Sequence, residues 1–281
     1  MDLSAAAAFF DNQPVYDAYT GDLLFMGQPD LYDASERDSP TGWRRSISAA
    51  AVTIPARGCM ILGSQKFIAG RIVEDFFDGE VLRQHLIAHP ADGLMSLGAA
   101  STFLSAGTPT SLYAALSWIK DRKEESTTST AYAVYDFYCH ESESLVVGQI
   151  LQNAVGEYFR VEGVSIRSGG LRTGLAYSLG ASALRSVSYT VLGTEYDPES
   201  DSSTAEAPIL INAFVESFYT NYHYLTNAAD KFERADVVFT ILASDVDDPQ
   251  PGDTVTDATT VYNVISAQAA GSAWLVHGRP V

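Results

Sequence analysis

The chain has 281 residues and a net charge of −18, with 35 acidic residues against 17 basic ones. Such a charge repels phosphate backbones, which argues against sequence-specific nucleic-acid binding. The length is enough for about one to three domains with a sizeable core, and a charged fraction of 19% argues against long charged helices.

The N-terminal segment and the cysteines favour assembly in a reducing cytoplasm. The sequence MDLSAAAAFFDNQP has no basic region, and its apolar run is too short for a signal peptide. No segment reaches the roughly 18 consecutive apolar residues of a transmembrane helix. Cys59 and Cys139 lack the spacing of a zinc or redox pair, so we expect two free buried thiols and no metal or other cofactor.

The first patterned stretch is SISAAAVTIPARGCMILGSQKFIAGRI, residues 46–72. An extended run leads into a turn with Pro55 and Gly58, then come the apolar Ile61, a hairpin at GSQK, and Phe67. Glycine after a turn supplies a backbone angle that a side chain resists. The pattern therefore predicts a strand, a turn, a short strand, a hairpin and a further strand.

The same order of features returns in residues 131–167 and again in residues 235–268. In the second stretch an extended run and an acidic turn precede Gly148, and Tyr158 follows ten places later. In the third stretch Gly252 follows an acidic, proline-rich turn, and Tyr262 again lies ten places on. We expect these residues to hold equivalent turns and hairpins, although coincidental similarity between β-rich segments stays an alternative.

The intervening segments lack this pattern. Residues 78–107 predict a short helix within a glycine-rich loop, and residues 112–130 begin amphipathic and end polar. Residues 160–186 read as a long excursion between strands, and the acidic stretch 193–208 reads as a linker. The apolar residues from Ile211 to Leu225 fit a helix or a strand almost equally well.

Short strands at close spacing predict an all-β fold of tandem small β-barrels or sandwiches, with long loops and one or two short helices. The predicted units are residues 1–118 (an N-terminal arm and a first barrel), residues 119–195 (a second barrel-like unit) and residues 196–281 (a linker and a C-terminal barrel).

The stretch from YDASERDSPTGWRR through IPARG to DFFDG resembles the head-to-tail joining proteins (stopper or head-completion proteins) of tailed bacteriophages, and PGDTVTDATTVYNV resembles them further. The resemblance implies small β-barrels in a ring-forming connector or neck protein of the virion, assembled in the host cytoplasm. It also implies partners: further copies of the chain, neighbouring connector, portal or tail proteins, and packaged DNA that passes an acidic lumen without specific binding. Because no long apolar run and no catalytic motif occur in the sequence, we also expect no membrane contact and no enzymatic activity.

A few side chains stand out as candidate interface residues in so acidic a chain. Arginine suits bidentate pairing with carboxylates of a neighbouring subunit, although pairing within the chain explains it equally well. Tryptophan is a frequent interface or core anchor. The candidates are Trp43, Arg44, Arg45, Arg71 and Arg83.

Other chemistry finds little support in the sequence. Strand alternation places Cys139 and His140 on opposite faces, which disfavours a metal site at YCHESES. GGLRTG lacks the Lys-Ser/Thr ending of a phosphate loop. Two alternatives remain open: a carbohydrate-binding, receptor-binding or head-decorating β module, suggested by 15 Tyr and 13 Phe, and a hydrolase that uses scattered carboxylates.

Overall fold

The computed structural model describes residues 12–32, 44–91, 93–118, 134–167, 170–197, 202–217 and 236–281. These residues form three closed six-stranded barrels in tandem and a separate two-stranded sheet. The prediction of an all-β fold of tandem small barrels is confirmed.

The first barrel holds the strands β1 (Gln13–Asp17), β2 (Leu23–Tyr32), β3 (Arg44–Ala49), β4 (Cys59–Leu62), β5 (Gln65–Phe77) and β6 (Glu80–Pro90). The order around the barrel is β1-β2-β3-β6-β5-β4, and every neighbouring pair is antiparallel. Alternate side chains point inward and fill it, including Val15, Ile47, Met60, Phe67 and Leu86.

The second barrel holds β7 (Gly93–Ala99), β8 (Thr110–Trp118), β9 (Val134–His140), β10 (Gln149–Gln152), β11 (Tyr158–Arg167) and β12 (Leu171–Gly180). A short helix, α1 (Ala100–Leu104), lies between its first two strands. The core includes Leu97, Leu112, Phe137, Leu151 and Phe159.

The third barrel holds β13 (Leu184–Thr190), β16 (Ile209–Ser217), β17 (Val237–Leu242), β18 (Thr254–Asp257), β19 (Thr260–Ala270) and β20 (Ala273–Pro280). Between β13 and β16 the chain forms a hairpin of β14 (Leu192–Asp197) and β15 (Ser202–Ala205). The core includes Val187, Tyr189, Phe239, Val255 and Val276.

All three barrels share one strand order. Numbered within each barrel, the strands run 1-2-3-6-5-4 around the circumference and close between strands 1 and 4. Among the connections that the structure describes, the one from strand 1 to strand 2 differs most: it is a tight turn in the first barrel, α1 in the second and the β14–β15 hairpin in the third.

The predicted unit boundaries differ from the barrel limits, which are residues 13–90, 93–180 and 184–280. β7 and β8 pair with β10 and β9, so residues 93–118 belong to the second barrel rather than to the first. β13 pairs with β16 and β18, so the third barrel begins well before residue 196.

Three local predictions are also corrected. The supposed loop at 78–107 consists largely of β6 and β7, with α1 as its short helix. The supposed excursion at 160–186 is mainly the β11–β12 hairpin, and the supposed linker at 193–208 contains most of the β14–β15 hairpin. Residues 209–217 form a strand, so the strand alternative is confirmed there, while residues 218–225 lie outside the described part.

Candidate assembly interfaces

The three predicted glycines occupy one position in the fold. Gly58, Gly148 and Gly252 each precede the fourth strand of a barrel, with φ of 61°, 86° and 101°. These angles lie in the left-handed region that favours glycine. Pro55 is buried before the first of these turns, and its carbonyl oxygen accepts a hydrogen bond from the Gly58 amide at 2.8 Å.

The predicted aromatic residues divide into two groups. Phe67 lies opposite Met60 and Tyr262 lies opposite Val255, and both aromatic rings pack on the core of their own barrel. In the second barrel the residue opposite Leu151 is Phe159, not Tyr158. Because successive residues of a strand face opposite sides, Tyr158 points out of its barrel and packs between barrels.

The first and second barrels are joined by residues 91 and 92 and by a polar cluster at their contact. The Arg57 guanidinium donates to both carboxylate oxygens of Glu143, with Nε–Oε1 at 2.9 Å and Nη2–Oε2 at 3.1 Å. The Tyr19 ring lies 3.8 Å beneath this guanidinium, and its hydroxyl donates to Glu143 at 3.1 Å. The same hydroxyl accepts the Tyr113 amide at 2.8 Å.

An apolar cluster adjoins these polar contacts. Ile68 of the first barrel packs with Ala115, Tyr138 and Leu171 of the second, and all four are buried. The ring of His140 lies so close to Gly58 that an added Cβ would sit 1.9 Å from its Cγ atom. The turn glycine is therefore also a contact between barrels.

Burial at this contact shifts several pKa values. Desolvation raises the pKa of the Cys59 and Cys139 thiols to about 12, so both are protonated at neutral pH. Desolvation also raises the pKa of Tyr19 and lowers that of His140. At neutral pH the cluster therefore consists of uncharged Tyr19 and His140 side chains around the charged Arg57–Glu143 pair.

The second and third barrels are separated by residues 181–183 and share a larger apolar cluster. It contains Leu104, Ile150 and Tyr158 of the second barrel, with Phe214 and Leu242 of the third. The rings of Tyr158 and Phe214 meet edge to face with centroids 5.3 Å apart. Such pairs add about 0.5–1.5 kcal/mol beyond the area they bury.

A buried ion pair crosses the same junction. Arg160 of the second barrel donates from Nη1 to Glu216 Oε2 of the third at 2.8 Å, and from Nε to Glu162 Oε1 at 2.7 Å. Burial alone would lower the pKa of Arg160, but the two carboxylates more than offset this and raise it. The guanidinium therefore stays charged, and the pair holds β11 against β16.

The two junctions use equivalent faces. The receiving face is the outer side of strands 4 and 5, which presents Ile68 in the first barrel and the equivalent Arg160 in the second. The docking face is the outer side of strands 2, 3 and 6 of the following barrel. It presents Ala115 in the second barrel and the equivalent Phe214 in the third.

Of the predicted interface residues, Arg45, Arg71 and Arg83 lie outside both junctions. Trp43 is outside the described residues, and Arg44 begins β3. The Arg45 guanidinium lies 5.8 Å from the centroid of the Phe67 ring, within the first barrel. Arg71 is exposed on β5, and Arg83 donates to Gln28 at 3.0 Å. None of these observations tests a contact with another subunit.

Arg71 and Arg83 do belong to a projecting element, residues 71–83, which we call the arm. It is the distal part of the β5–β6 hairpin: its β5 side lies beyond Ile68, the last residue of that strand to pair with β4, and its β6 side lies before Gln84, which pairs with Ala49 at the end of β3. Asp78 and Gly79 form its turn with φ of 52° and 82°. A two-residue turn with both angles positive is the type that matches the strand twist.

The arm exposes apolar side chains. Phe76 and Phe77 are 63% and 64% exposed, and Val73, Val81 and Leu82 are exposed beside them. At its base His85 is hydrogen-bonded through Nδ1 to Ser48 Oγ at 2.7 Å and through Nε2 to Asp75 Oδ2 at 2.6 Å. These residue types also form hydrolase triads, but the fully buried Ser48 cannot meet a substrate, so the chain of bonds anchors the arm.

Sequence reasoning missed the residues that hold the barrels together. Arg57, Glu143, Arg160 and Glu216 carry the junctions, but nothing local in the sequence links an arginine to a carboxylate in another barrel. One usable signal existed, because strand alternation puts Arg160 on the face opposite Phe159. An arginine there needs a buried partner or solvent.

The described residues contain no group of three or more His, Cys, Asp or Glu placed to hold a metal ion. Cys139 lies in the core of the second barrel and His140 on its outside, so the predicted opposite facing is confirmed. Within the same residues no helix has the length and apolar character needed to cross a membrane.

No family model, no curated protein and no solved structure matches this chain.

Proposed function

We propose that this chain is a structural protein of a tailed-phage virion, a ring-forming adaptor at the head-to-tail connector or neck that joins assemblies and passes or retains DNA. The observation that carries the proposal is the pair of buried junctions, which fix three barrels of one strand order in series. A protein built in this way acts through shape and surface rather than through a cleft.

Charge supports the same function. With a net charge of −18 on each chain, a ring of copies would present acidic surface to packaged DNA. Binding of DNA to basic proteins is driven largely by counterion release, which an acidic wall does not provide. DNA could then slide through the lumen without adhering to it.

The test is to locate the protein and to determine its assembly state. Antibodies against the purified chain should label the head–tail boundary of virions in electron micrographs, and the chain should form rings alone or with a neighbouring connector protein. Labelling restricted to the capsid surface or tail tip, together with binding to a glycan array, would instead favour the head-decorating or receptor-binding alternative. Absence of the chain from virions would contradict both.

A further inference from the structure

The arm is an apolar surface without a covering barrel among the described residues. Within them no barrel precedes the first one and none follows the third. The docking face of the first barrel and the receiving face of the third are therefore the two faces of the series that no neighbouring barrel covers.

The turn between strands 5 and 6 shows where such an arm fits. In the second barrel this turn contains Gly170, and a Cβ added there would lie 3.8 Å from the Gly70 carbonyl oxygen and 3.9 Å from that of Ala69. Gly170 thus lies against strand 5 of the preceding barrel. The arm is the equivalent part of the first barrel, extended and tipped with Phe76 and Phe77.

The equivalent acceptor in the third barrel is open. Ile68, Arg160 and Asn263 occupy equivalent positions on strand 5 of the three barrels. Each comes directly after the strand 5 residue that pairs with an inward-facing residue of strand 4. Ile68 and Arg160 are buried by the next barrel, whereas Asn263 is exposed, as are Val261 and Ile265 on the same strand.

The charges of the two surfaces are also compatible. The arm carries Glu74, Asp75, Asp78 and Glu80 around its apolar tip, against Arg71 and Arg83. Residues 258–281, which contain β19 and β20, include no Asp or Glu and one Arg. β18, the other strand of the proposed face, ends at Asp257, whose carboxylate is paired with Arg185. In so acidic a chain, β19 is therefore a strand that the arm can approach with little like-charge repulsion.

We infer that copies of this chain associate head to tail, the arm of one copy docking on the β18–β19 face of the third barrel of the next, with Phe76 and Phe77 against Val261 and Ile265. The contact repeats between chains the relation that already joins the barrels within one chain. It is heterologous, so it closes into a ring where the rotation permits and otherwise continues as a filament. The inference deepens the proposed ring by naming its subunit contact.

The test uses single cysteines in the full chain, because the two native thiols are buried. Phe77→Cys protein mixed with Ile265→Cys protein should form a covalent dimer with a short bifunctional maleimide, and each variant alone should form much less. Val155→Cys is the matched control, since Val155 is 76% exposed on the β10–β11 turn of the second barrel and belongs to neither the arm nor the β18–β19 face. It should link to neither variant.

A second measurement covers the case of a disturbed cysteine variant. The double variant Phe76→Ser and Phe77→Ser should weaken self-association in sedimentation equilibrium at least about tenfold, while Val155→Ser leaves it unchanged. Circular dichroism should show the same strand content and a similar melting temperature, since both phenylalanines are exposed.

Three results would overturn the inference: dimers of Phe77→Cys with itself in place of the mixed dimer, equal association of the Phe→Ser variant, or a strictly monomeric chain at its highest soluble concentration. If antibodies label the head–tail boundary of virions but the Phe→Ser variant still forms oligomers, the inference fails and the proposed function stands. If the chains link head to tail but the protein is absent from virions, the proposed function fails and the inference stands.

Discussion

Gly58 meets two separate requirements at the residue scale. Its φ of 61° lies in the left-handed region, and the His140 ring occupies the space of its missing side chain. Gly63, with φ of 62°, meets only the first, because nothing lies within 4 Å of an added Cβ. The chain therefore offers a pair of glycines that separates backbone strain from steric contact.

Gly58→Ala should destabilise the protein by clearly more than Gly63→Ala. The shared backbone cost is about 1 kcal/mol, and overpacking against His140 adds typically about 1–3 kcal/mol. Urea unfolding of the two variants beside the wild type gives the difference. Equal losses would mean that the first two barrels do not press together at this point.

His277 is buried beside Asp236, to which its Nε2 atom is hydrogen-bonded at 2.9 Å. Desolvation by burial lowers its pKa, although Asp236 partly opposes this shift. In the unfolded chain the pKa of His277 is the ordinary histidine value of about 6.5, which is higher than its pKa in the folded protein. Between the two values the unfolded state binds more protons, so stability rises with pH in that window.

The contribution of His277 is thus fully present above about pH 6.5 and is lost as pH falls through the folded pKa. His277→Gln should flatten the dependence of the free energy of unfolding on pH between about 7.5 and 5, a range that stays above the ordinary carboxyl values. Urea titrations at several pH values provide the measurement. An unchanged slope would show that other groups dominate in this range.

At the scale of the element, β11 shows that a shift of one residue in strand register determines whether a side chain faces the core of its own barrel or the next barrel. Phe159 faces the core of its barrel, and Tyr158 faces the third barrel. Phe159→Ala should cost about 3–5 kcal/mol of unfolding free energy, as is usual for a buried Phe. Tyr158→Ala should leave that core intact and increase hydrogen exchange at the junction, around Ala183 and Val215.

Mass spectrometry of amide exchange distinguishes these outcomes. The Val215 amide donates to the Ala183 carbonyl at 2.7 Å, so its protection reports on the junction. Faster exchange throughout the second barrel in Tyr158→Ala would contradict the assigned register.

The turn before strand 4 and the hairpin after it show which parts of the fold could be predicted from the sequence. The glycine, the short fourth strand and the hairpin follow from local turn chemistry, and the structure has them at Gly58, Gly148 and Gly252. Tyr158 was misassigned because spacing from the glycine does not count the longer hairpin 153–157, which shifts the register by one. The stretches 160–186 and 193–208 looked like loops because glycine, serine and acidic residues equal the apolar residues in number in the first stretch and outnumber them in the second.

The candidate interfaces were less predictable than the fold. Arg160 and Glu216 lie 56 positions apart, and only the packing of one barrel on another brings them together. The boundaries failed for a related reason, since only pairing with β9 and β10 reveals that β7 and β8 belong to the second barrel. Long-range pairing of this kind leaves no trace in local periodicity.

On the scale of the whole molecule, short linkers and buried junctions predict that neighbouring barrels unfold together. Breaking a buried pair leaves an uncompensated charge and costs about 3–5 kcal/mol. Arg160→Ala, which strands the Glu216 carboxylate, should therefore lower the melting temperature and split a single calorimetric transition into two. Arg71→Ala, at an exposed position, should change neither.

Calorimetry of the three proteins at one scan rate makes the comparison. Separate transitions already in the wild-type protein would mean that the barrels are linked but energetically independent. If Arg160→Ala lowers the melting temperature but leaves a single transition, the second and third barrels still unfold as one cooperative unit without this ion pair.

In the described parts of the three barrels, the connection between strands 1 and 2 is a turn, a helix or a hairpin, while the strand order stays the same. Because this connection takes three different forms without a change in strand order, it is a suitable position for inserting a peptide. An epitope tag or a fluorescent peptide placed between Leu192 and Ala205 should be displayed with the barrel intact, and it would serve as a label for detecting the protein.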